Sequence, residues 1–394
     1  MTTLTRPPAI PPALPRAVTA RAEPLLYGGF AIFAAVTAAV THLGPHRVWG
    51  LFAASAYGLA AVFWRTRAAV WLALGGAVVL PLAVLVLAGL GQPEVAVVQR
   101  SGEHLLAHGT PYLSPGELAG GSYEAYNPYL PGMALLGLPS AITGIDARLV
   151  FGGVFLALLG RHGRILAASP LVALPLVVGG DDLPVIGLVC VGFALAVRDR
   201  PGLAGLAMGL AATLKATAWP AALVCLALIA VRRRGALWSG VRWYGVRWRG
   251  VRRYGVRLYG VVVAGVIAIG VGVPALVDPA GMFENVVAFP LGLAGVESPA
   301  DSPLPGHLLA ESGAYGHAAA VVALGLAALG MGVSLIVRPP GDLKAAAYRL
   351  ALGLLLATAL MPATRWGYLV YPAVLVCWAY LNERRKEAEL CLAA

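Results

Sequence analysis

Residues 69–131 read AVWLALGGAVVLPLAVLVLAGLG followed by QPEVAVVQRSGEHLLAHGTPYLSPGELAGGSYEAYNPYLP. The first part, 69–91, carries no charge. The second, Gln92 to Pro131, carries Glu94, Arg100, Glu103, His104, His108, Glu117 and Glu124, and ends in the aromatic turn Tyr126-Asn127-Pro128-Tyr129. An uncharged run of that length reads as a membrane-spanning helix. A polar segment between such runs is where a membrane protein places its chemistry or recognition.

The rest of the chain has the character of the first part. Of 394 residues, 59% are hydrophobic and 12% charged, with mean hydropathy +0.79. A soluble domain carries about twice that charge. Apolar runs recur at 25–43, 48–64, 146–160, 165–180, 183–198, 203–217, 218–231, 259–277, 314–337, 345–361 and 366–382. The segment 129–143, with Pro131 and Pro139, reads as a helix that lies at the interface or re-enters, or as a further span. Lipid-exposed backbone must satisfy its own hydrogen bonds, which calls for helices. The expectation is an all-α, polytopic transmembrane helical bundle of roughly 11–13 spans. It has an N-terminal tail at 1–24, a membrane domain at 25–382 and a C-terminal tail at 383–394.

Orientation follows the cations. Arg6, Arg16 and Arg21 put the N-terminus inside, without a convincing signal-peptide cleavage site. Arg65 and Arg67 fall inside after two spans, so 92–128 forms a large outer loop. A second outer loop runs over 278–313, and a basic cytoplasmic loop over 232–258. The acids agree: Glu94, Glu103, Glu117, Glu124, Asp181, Asp182, Asp278, Glu284, Glu297, Asp301 and Glu311 all fall outside. This is the pattern of a multi-pass plasma-membrane protein.

The net charge of +11 is concentrated in one place. A tandem pentapeptide, GVRWY-GVRWR-GVRRY-GVRLY, occupies 240–259. Arginine interleaved with aromatics can stack on nucleic acid. The alternative is a repeat-expanded loop against anionic headgroups, and that reading is preferred, with no nucleic-acid partner. Cys190, Cys225 and Cys377 lie in apolar runs and Cys391 in the tail, without metal or disulfide spacing.

Candidate chemical groups stand at span ends. Glu94 follows a span and a proline; Asp181 and Asp182 follow Gly179-Gly180. A partly desolvated carboxylate is a candidate general base; the alternative, strongest for Asp181, is a helix cap. Lys215, in LAATLKATAWP, lies within a span and is a candidate for a lipid phosphate, or it snorkels to the surface. Arg365 in MPATRWGY can also reach an anion. His104 and His108 have i,i+4 spacing without a third ligand, and a lone His307 makes no metal site. No Walker motif, dinucleotide loop or HExxH is present.

In order along the chain, these pieces resemble the family 87 glycosyltransferases. These are polytopic enzymes that use polyprenyl-phosphate sugars and include actinobacterial mannosyltransferases acting on phosphatidylinositol mannosides. The resemblance is carried by EVAVVQRSGEHLLAHGTPYL with its Gly109-Thr110-Pro111-Tyr112 ending, by Tyr126-Asn127-Pro128 and Tyr129-Leu130-Pro131, by GGDDLPVIGL followed by RPGLAGLAMGLAATLKATAWP, and by SPADSPLPGHLLA. It covers about 69–380. The family's acid is usually Asp; here Glu94 stands one residue out of the usual spacing, with Glu103 as the fallback.

The resemblance implies inverting transfer of a sugar, mannose by analogy, from a polyprenyl-phosphate donor to a hydroxyl of a glycolipid or envelope glycan. Glu94, Glu103 or Asp181 would be the base. Lys215, Arg100 and Arg365 would hold the donor phosphate. Tyr112, Tyr126, Asn127, Tyr129, Asp182 and His307 would contact substrate. No cofactor or metal is required if the cations do that work. A transporter or lipid-linked-sugar flippase is the alternative, although the two outer loops show no inverted-repeat pattern; a non-catalytic partner of an envelope enzyme is another.

Overall fold

A computed structural model of the chain describes residues 16–235, 245–296 and 300–393. The described residues form an all-α structure, with a single isolated bridge between Asp301 and Thr364. The principal helices are α1 (Arg16–Val40), α2 (Gly44–Val62), α3 (Ala68–Leu87), α4 (Pro93–His108), α5 (Ala134–Thr143), α6 (Ala147–Leu159), α7 (Pro170–Val178), α8 (Asp182–Val197), α9 (Pro201–Leu214), α10 (Trp219–Gly235), α11 (Gly245–Ile267), α12 (Ala314–Val337), α13 (Leu343–Leu360) and α14 (Val370–Ala393). Among the described residues, four helical stretches are long and apolar enough to cross a membrane: Ala68–Leu87, Tyr254–Val277, Ala314–Val337 and Leu343–Leu360.

The first three helices form a unit with α7. Gly50 lets α2 approach α1 so closely that a methyl there would collide with Ala34 and Ala38. Pro81 has no N–H for the carbonyl of Ala77, four residues back. The helix widens there into a π-turn over Gly75–Val79, and the buried Trp49 indole donates to Ala77 O at 2.9 Å. Ala34, Trp49, Tyr57, Leu85 and Val177 are among the residues of this core. The larger core lies among α6, α8, α9, α10, α13 and α14, around Phe151, Phe155, Phe193, Met208, Leu350 and Trp378.

Arg148, on α6 and 2% exposed, fastens several helix ends together. Its Nε and Nη2 donate to the two oxygens of Asp146 at 2.9 and 2.7 Å. Its Nη1 reaches Leu90 O at 2.5 Å and Val177 O at 3.5 Å, and Nη2 also reaches Leu85 O at 3.3 Å. Those carbonyls belong to the ends of α3 and α7, or lie just past them, where intrahelical partners run out.

Several expectations change. The stretch 92–128 is no open loop: its first part is α4, and the rest is a chain of short turns. Val95, Val98 and Ser101 face inward along α4. Gly102 and Gly137 let α4 and α5 touch backbone to backbone. Helix α5 has 10 residues, about 15 Å, and does not cross a membrane. The 165–180 run is two short helices, Arg161–Ala167 and α7, rather than one span. The tail at 383–394 continues α14 as far as Ala393. Of the basic stretch 232–258, the described part from Gly245 is helical and forms the first part of α11. The first repeat, 240–244, lies outside the described residues, as do Glu297 and the tail as far as residue 15.

Candidate active site

Lys215 stands where α9 stops. Its backbone is extended (φ −146°, ψ 144°), and a short 3-10 turn, Ala216–Ala218, follows. The interruption leaves helix carbonyls without partners. The Trp219 indole takes Ala212 O at 3.0 Å, and the N–H of Leu130 takes Leu214 O at 3.2 Å. The second bond docks the Tyr-Asn-Pro-Tyr segment on the end of α9. Gly132 is required there, because a side chain would strike Thr213.

Asp181 and Asp182 arrive from the other side. Gly179 closes α7 with φ +111°, where a methyl would also collide with Val95. Asp181 occupies the N-cap position of α8, yet its side chain makes no capping bond. It turns instead to Lys215, whose Nζ lies 2.9 Å from Asp181 Oδ1 and 2.6 Å from Asp182 Oδ1. The capping alternative for Asp181 is therefore set aside. So is snorkelling: Lys215 is 8% exposed and Asp181 3%. The ring of Tyr129 covers the ammonium, 4.8 Å from its centroid. From α14, Tyr371 donates to Asp182 Oδ1 at 2.8 Å and shares a hydrogen bond of 2.9 Å with Thr217.

Glu94, in the first turn of α4, forms an ion pair with Arg365 from the connection between α13 and α14. Its charge acts on Asp181 and Tyr129, which puts both carboxylates in one neighbourhood. His46 lies behind: it pairs with Gln92 at 3.1 Å and feels the charge of Glu94. Among the described residues, two buried carboxylate oxygens have no partner, Glu94 Oε2 and Asp181 Oδ2. Burial pushes the Asp181 carboxyl up to about 6; Lys215 opposes that shift, and Asp182 and Glu94 add to it. A carboxylate with that raised pKa, and with one buried oxygen unpaired, has the chemistry of a general base near neutral pH.

The fold brings together Glu94, Asp181, Asp182, Lys215, Tyr129 and Arg365, and it places the other predicted residues elsewhere. Glu103 is exposed, nine residues and about 14 Å further along α4. Arg100 donates to the carbonyls of Glu124 and Ala125 at 2.6 and 3.2 Å, pinning the turn before Tyr126. Tyr112 is buried and props Tyr129 O with its hydroxyl at 2.9 Å. Tyr126 stacks on Phe289 with centroids 4.5 Å apart. The Asn127 side chain bonds Pro111 O and the Tyr129 N–H, while its own N–H donates to Asn285 Oδ1 at 2.8 Å. His307 is tied to Pro362 O at 2.8 Å and to Glu311. These groups build the frame. Asn285 ties 278–313 to 92–128, and the bridge of Asp301 with Thr364 braces the loop that carries Arg365.

Sequence reasoning missed Tyr371, Thr217 and His46. Tyr371 stands 154 residues from Thr217, in a tyrosine-bearing apolar run with nothing to single it out. His46 was legible only as a polar residue at a span end. Among the described residues, no three His, Cys, Asp or Glu side chains gather as metal ligands. Comparison with protein families, curated proteins and solved structures finds no match.

Proposed function

We propose that the chain is a membrane glycosyltransferase. It moves a sugar, mannose by analogy, from a polyprenyl-phosphate carrier to a hydroxyl of a glycolipid or envelope glycan on the outer face of the plasma membrane. The observation that carries this reading is the buried group of Lys215, Asp181 and Asp182 beside Glu94 and Arg365, with one buried, unpaired oxygen on each of Asp181 and Glu94. In the transfer, the acceptor oxygen bonds to the anomeric carbon as the bond to the phosphate oxygen breaks. The electron pair leaves with the phosphate and the acceptor proton goes to a carboxylate.

Asp181 is the better base, since one oxygen of Glu94 is already taken up by the ion pair with Arg365. Arg365 is the more exposed of the two cations and the first a phosphate meets, with Lys215 buried. Preorganised cations of this kind stabilise the charge that develops on a leaving phosphate. Asp182 and Tyr371 hold Lys215 in place.

A proton- or cation-coupled transporter or flippase is the second reading, favoured by one feature. With all three acids ionised, the group carries one more negative charge than positive, which suits a cation better than a lipid phosphate. One experiment separates the two. Membranes containing wild type, Asp181→Asn or Glu94→Gln are given radiolabelled polyprenyl-phosphate mannose, and product glycolipid is measured. Transfer lost in Asp181→Asn and reduced in Glu94→Gln supports the enzyme with Asp181 as base. Absence of transfer by wild type with every lipid-phosphate sugar tried favours the transporter.

A further inference from the structure

We propose that the turn Arg65-Thr66-Arg67, with Leu26 and Tyr27 of α1, binds the phosphate headgroup of an anionic phospholipid, at the end of the bundle away from the Lys215 group. A cleft of about 510 Å³ lies there, between Leu26 and Tyr27 on α1 and the residues Trp64 to Val70. That volume falls within the usual range for small-molecule sites. The stretch Ala68–Leu87 has 20 residues, so it carries the chain about 30 Å from the cleft toward Gln92 and Glu94. The two regions are separated by about the thickness of a hydrocarbon layer.

The chemistry of the cleft is that of an anion site. No Asp or Glu occurs between Glu23 and Glu94, so α2 and α3 bring no acid to neutralise the two guanidinium groups. Neither Arg65 nor Arg67 has a side-chain hydrogen bond or an ion pair among the described residues. The Arg65 guanidinium rests over the Trp64 ring, 4.8 Å from its centroid. An indole beside arginine is the usual furniture of the headgroup layer. Acyl chains then have Leu26 and Val70, both exposed, to lie against.

A second basic cleft shows what an occupied arginine looks like. Between α12 and α13, about 470 Å³ is lined by Ser334, Arg338 and Arg349 among others. There Arg349 already donates to Ser334 Oγ at 2.8 Å and to Arg338 O at 3.3 Å. Two of its donors serve the helix pair, while the neighbouring Arg338 side chain has no hydrogen bond or ion pair among the described residues. The donors of Arg65 and Arg67 are available to a phosphate, which two guanidinium groups bind with directed, charge-assisted hydrogen bonds.

The test uses the full-length protein extracted from membranes containing phosphatidylglycerol and phosphatidylcholine. Native mass spectrometry counts retained lipids after detergent washing. Wild type is compared with Arg65→Gln/Arg67→Gln and, as a control for equal charge loss, with Arg198→Gln/Arg200→Gln. The expected result is retention of phosphatidylglycerol by wild type and the control, reduced about tenfold or more in Arg65→Gln/Arg67→Gln. Loss to the same extent in both variants, equal retention by all three, no preference over phosphatidylcholine, or displacement by inorganic phosphate alone would overturn the proposal. Elution of each variant as a single size-exclusion peak confirms that it is folded, and sugar transfer plays no part in the readout.

Discussion

Among the described residues two cations are buried, Arg148 and Lys215, and they are held in opposite ways. Arg148 has five N–H donors, and five acceptors meet them: both oxygens of Asp146 and three carbonyls near the ends of α3 and α7. Lys215 is met by Asp181 and Asp182, but its surroundings are left incomplete. Asp181 Oδ2 and the neighbouring Glu94 Oε2 have no partner. A buried polar group left unpaired is costly, so the fold has reason to complete any group that serves only stability. It does so at Arg148. The lesson is that burial of charge alone does not mark a site; at Lys215 the spare capacity sits on carboxylates beside a buried cation, unlike the isolated unpaired Tyr57 and Ser140 hydroxyls elsewhere in the bundle.

The largest effect expected from this contrast is on stability, at Arg148. Arg148→Met leaves Asp146 Oδ2 and the carbonyls of Leu90 and Val177 without their arginine donors, while Asp146 Oδ1 keeps the backbone N–H of residue 148 and Leu85 O keeps the Leu90 N–H; removal of one partner of a buried pair costs about 3–5 kcal/mol. The variant should lose its monodisperse peak or unfold at a much lower temperature. Lys215→Met should be milder in unfolding, because Asp181 can take up a proton once the ammonium is gone. Its effect should fall on transfer, with a loss of about a hundredfold or more. Equal destabilisation by the two variants, with transfer by Lys215→Met falling only as folded protein falls, would make both cations fasteners and erase the distinction.

Next in size is the exchange of roles between two aspartates. Asp181→Asn should lower transfer by about 10²–10⁴ and leave the unfolding temperature within a few degrees. Asp146→Asn should do the reverse, lowering stability while transfer per folded molecule holds. Smaller again is Tyr371→Phe. It removes a donor to Asp182, and hydrogen bonds to charged groups are worth about 1.5–3 kcal/mol. Part of that should appear in stability, and the rest as a shifted pH profile, because Asp182 then leans more heavily on Lys215. A Tyr371→Phe profile identical to wild type would remove Tyr371 from the positioning of this group.

The sequence carried one of these clusters and not the other. Glu94, Asp181 and Lys215 stand out because each interrupts an apolar run. Their convergence needed contacts between residues 33–34 positions apart for Lys215 with its aspartates, and 271 apart for Glu94 with Arg365. No local pattern encodes such separations. Arg148 is close to Asp146 in sequence, yet its remaining acceptors are backbone carbonyls, which carry no residue signature. The helical class was legible in composition. The helical character of 92–108 was partly legible too, in the i,i+4 pair His104 and His108, but the density of charge argued for a loop. What reversed that reading was Gly102 against Gly137, a tertiary contact that lets a polar helix pack tightly on one side.

The smallest expected effect is also the most specific, because the two clusters should answer pH with opposite signs. Burial alone would push Asp146 up, but hydrogen bonds from Arg148, together with its charge, outweigh that and hold the carboxyl below its ordinary value. A lowered native pKa gives stability that is present above the unfolded value and lost as pH falls through the native one. Asp181 is raised to about 6. The native state then keeps its proton where the unfolded chain has released it, so this group's contribution to stability declines as pH rises from about 4 to about 6. Transfer should move the other way, rising through pH 6 as Asp181 ionises among Lys215, Asp182 and Glu94. Unfolding midpoints and transfer rates measured across pH 4–8 therefore have a shared inflection near 6, of opposite sense, and Asp181→Asn should remove both. An inflection in transfer that survives Asp181→Asn, or moves only in Glu94→Gln, would return the base to Glu94. Asp181 would then be a second fastener, like Asp146.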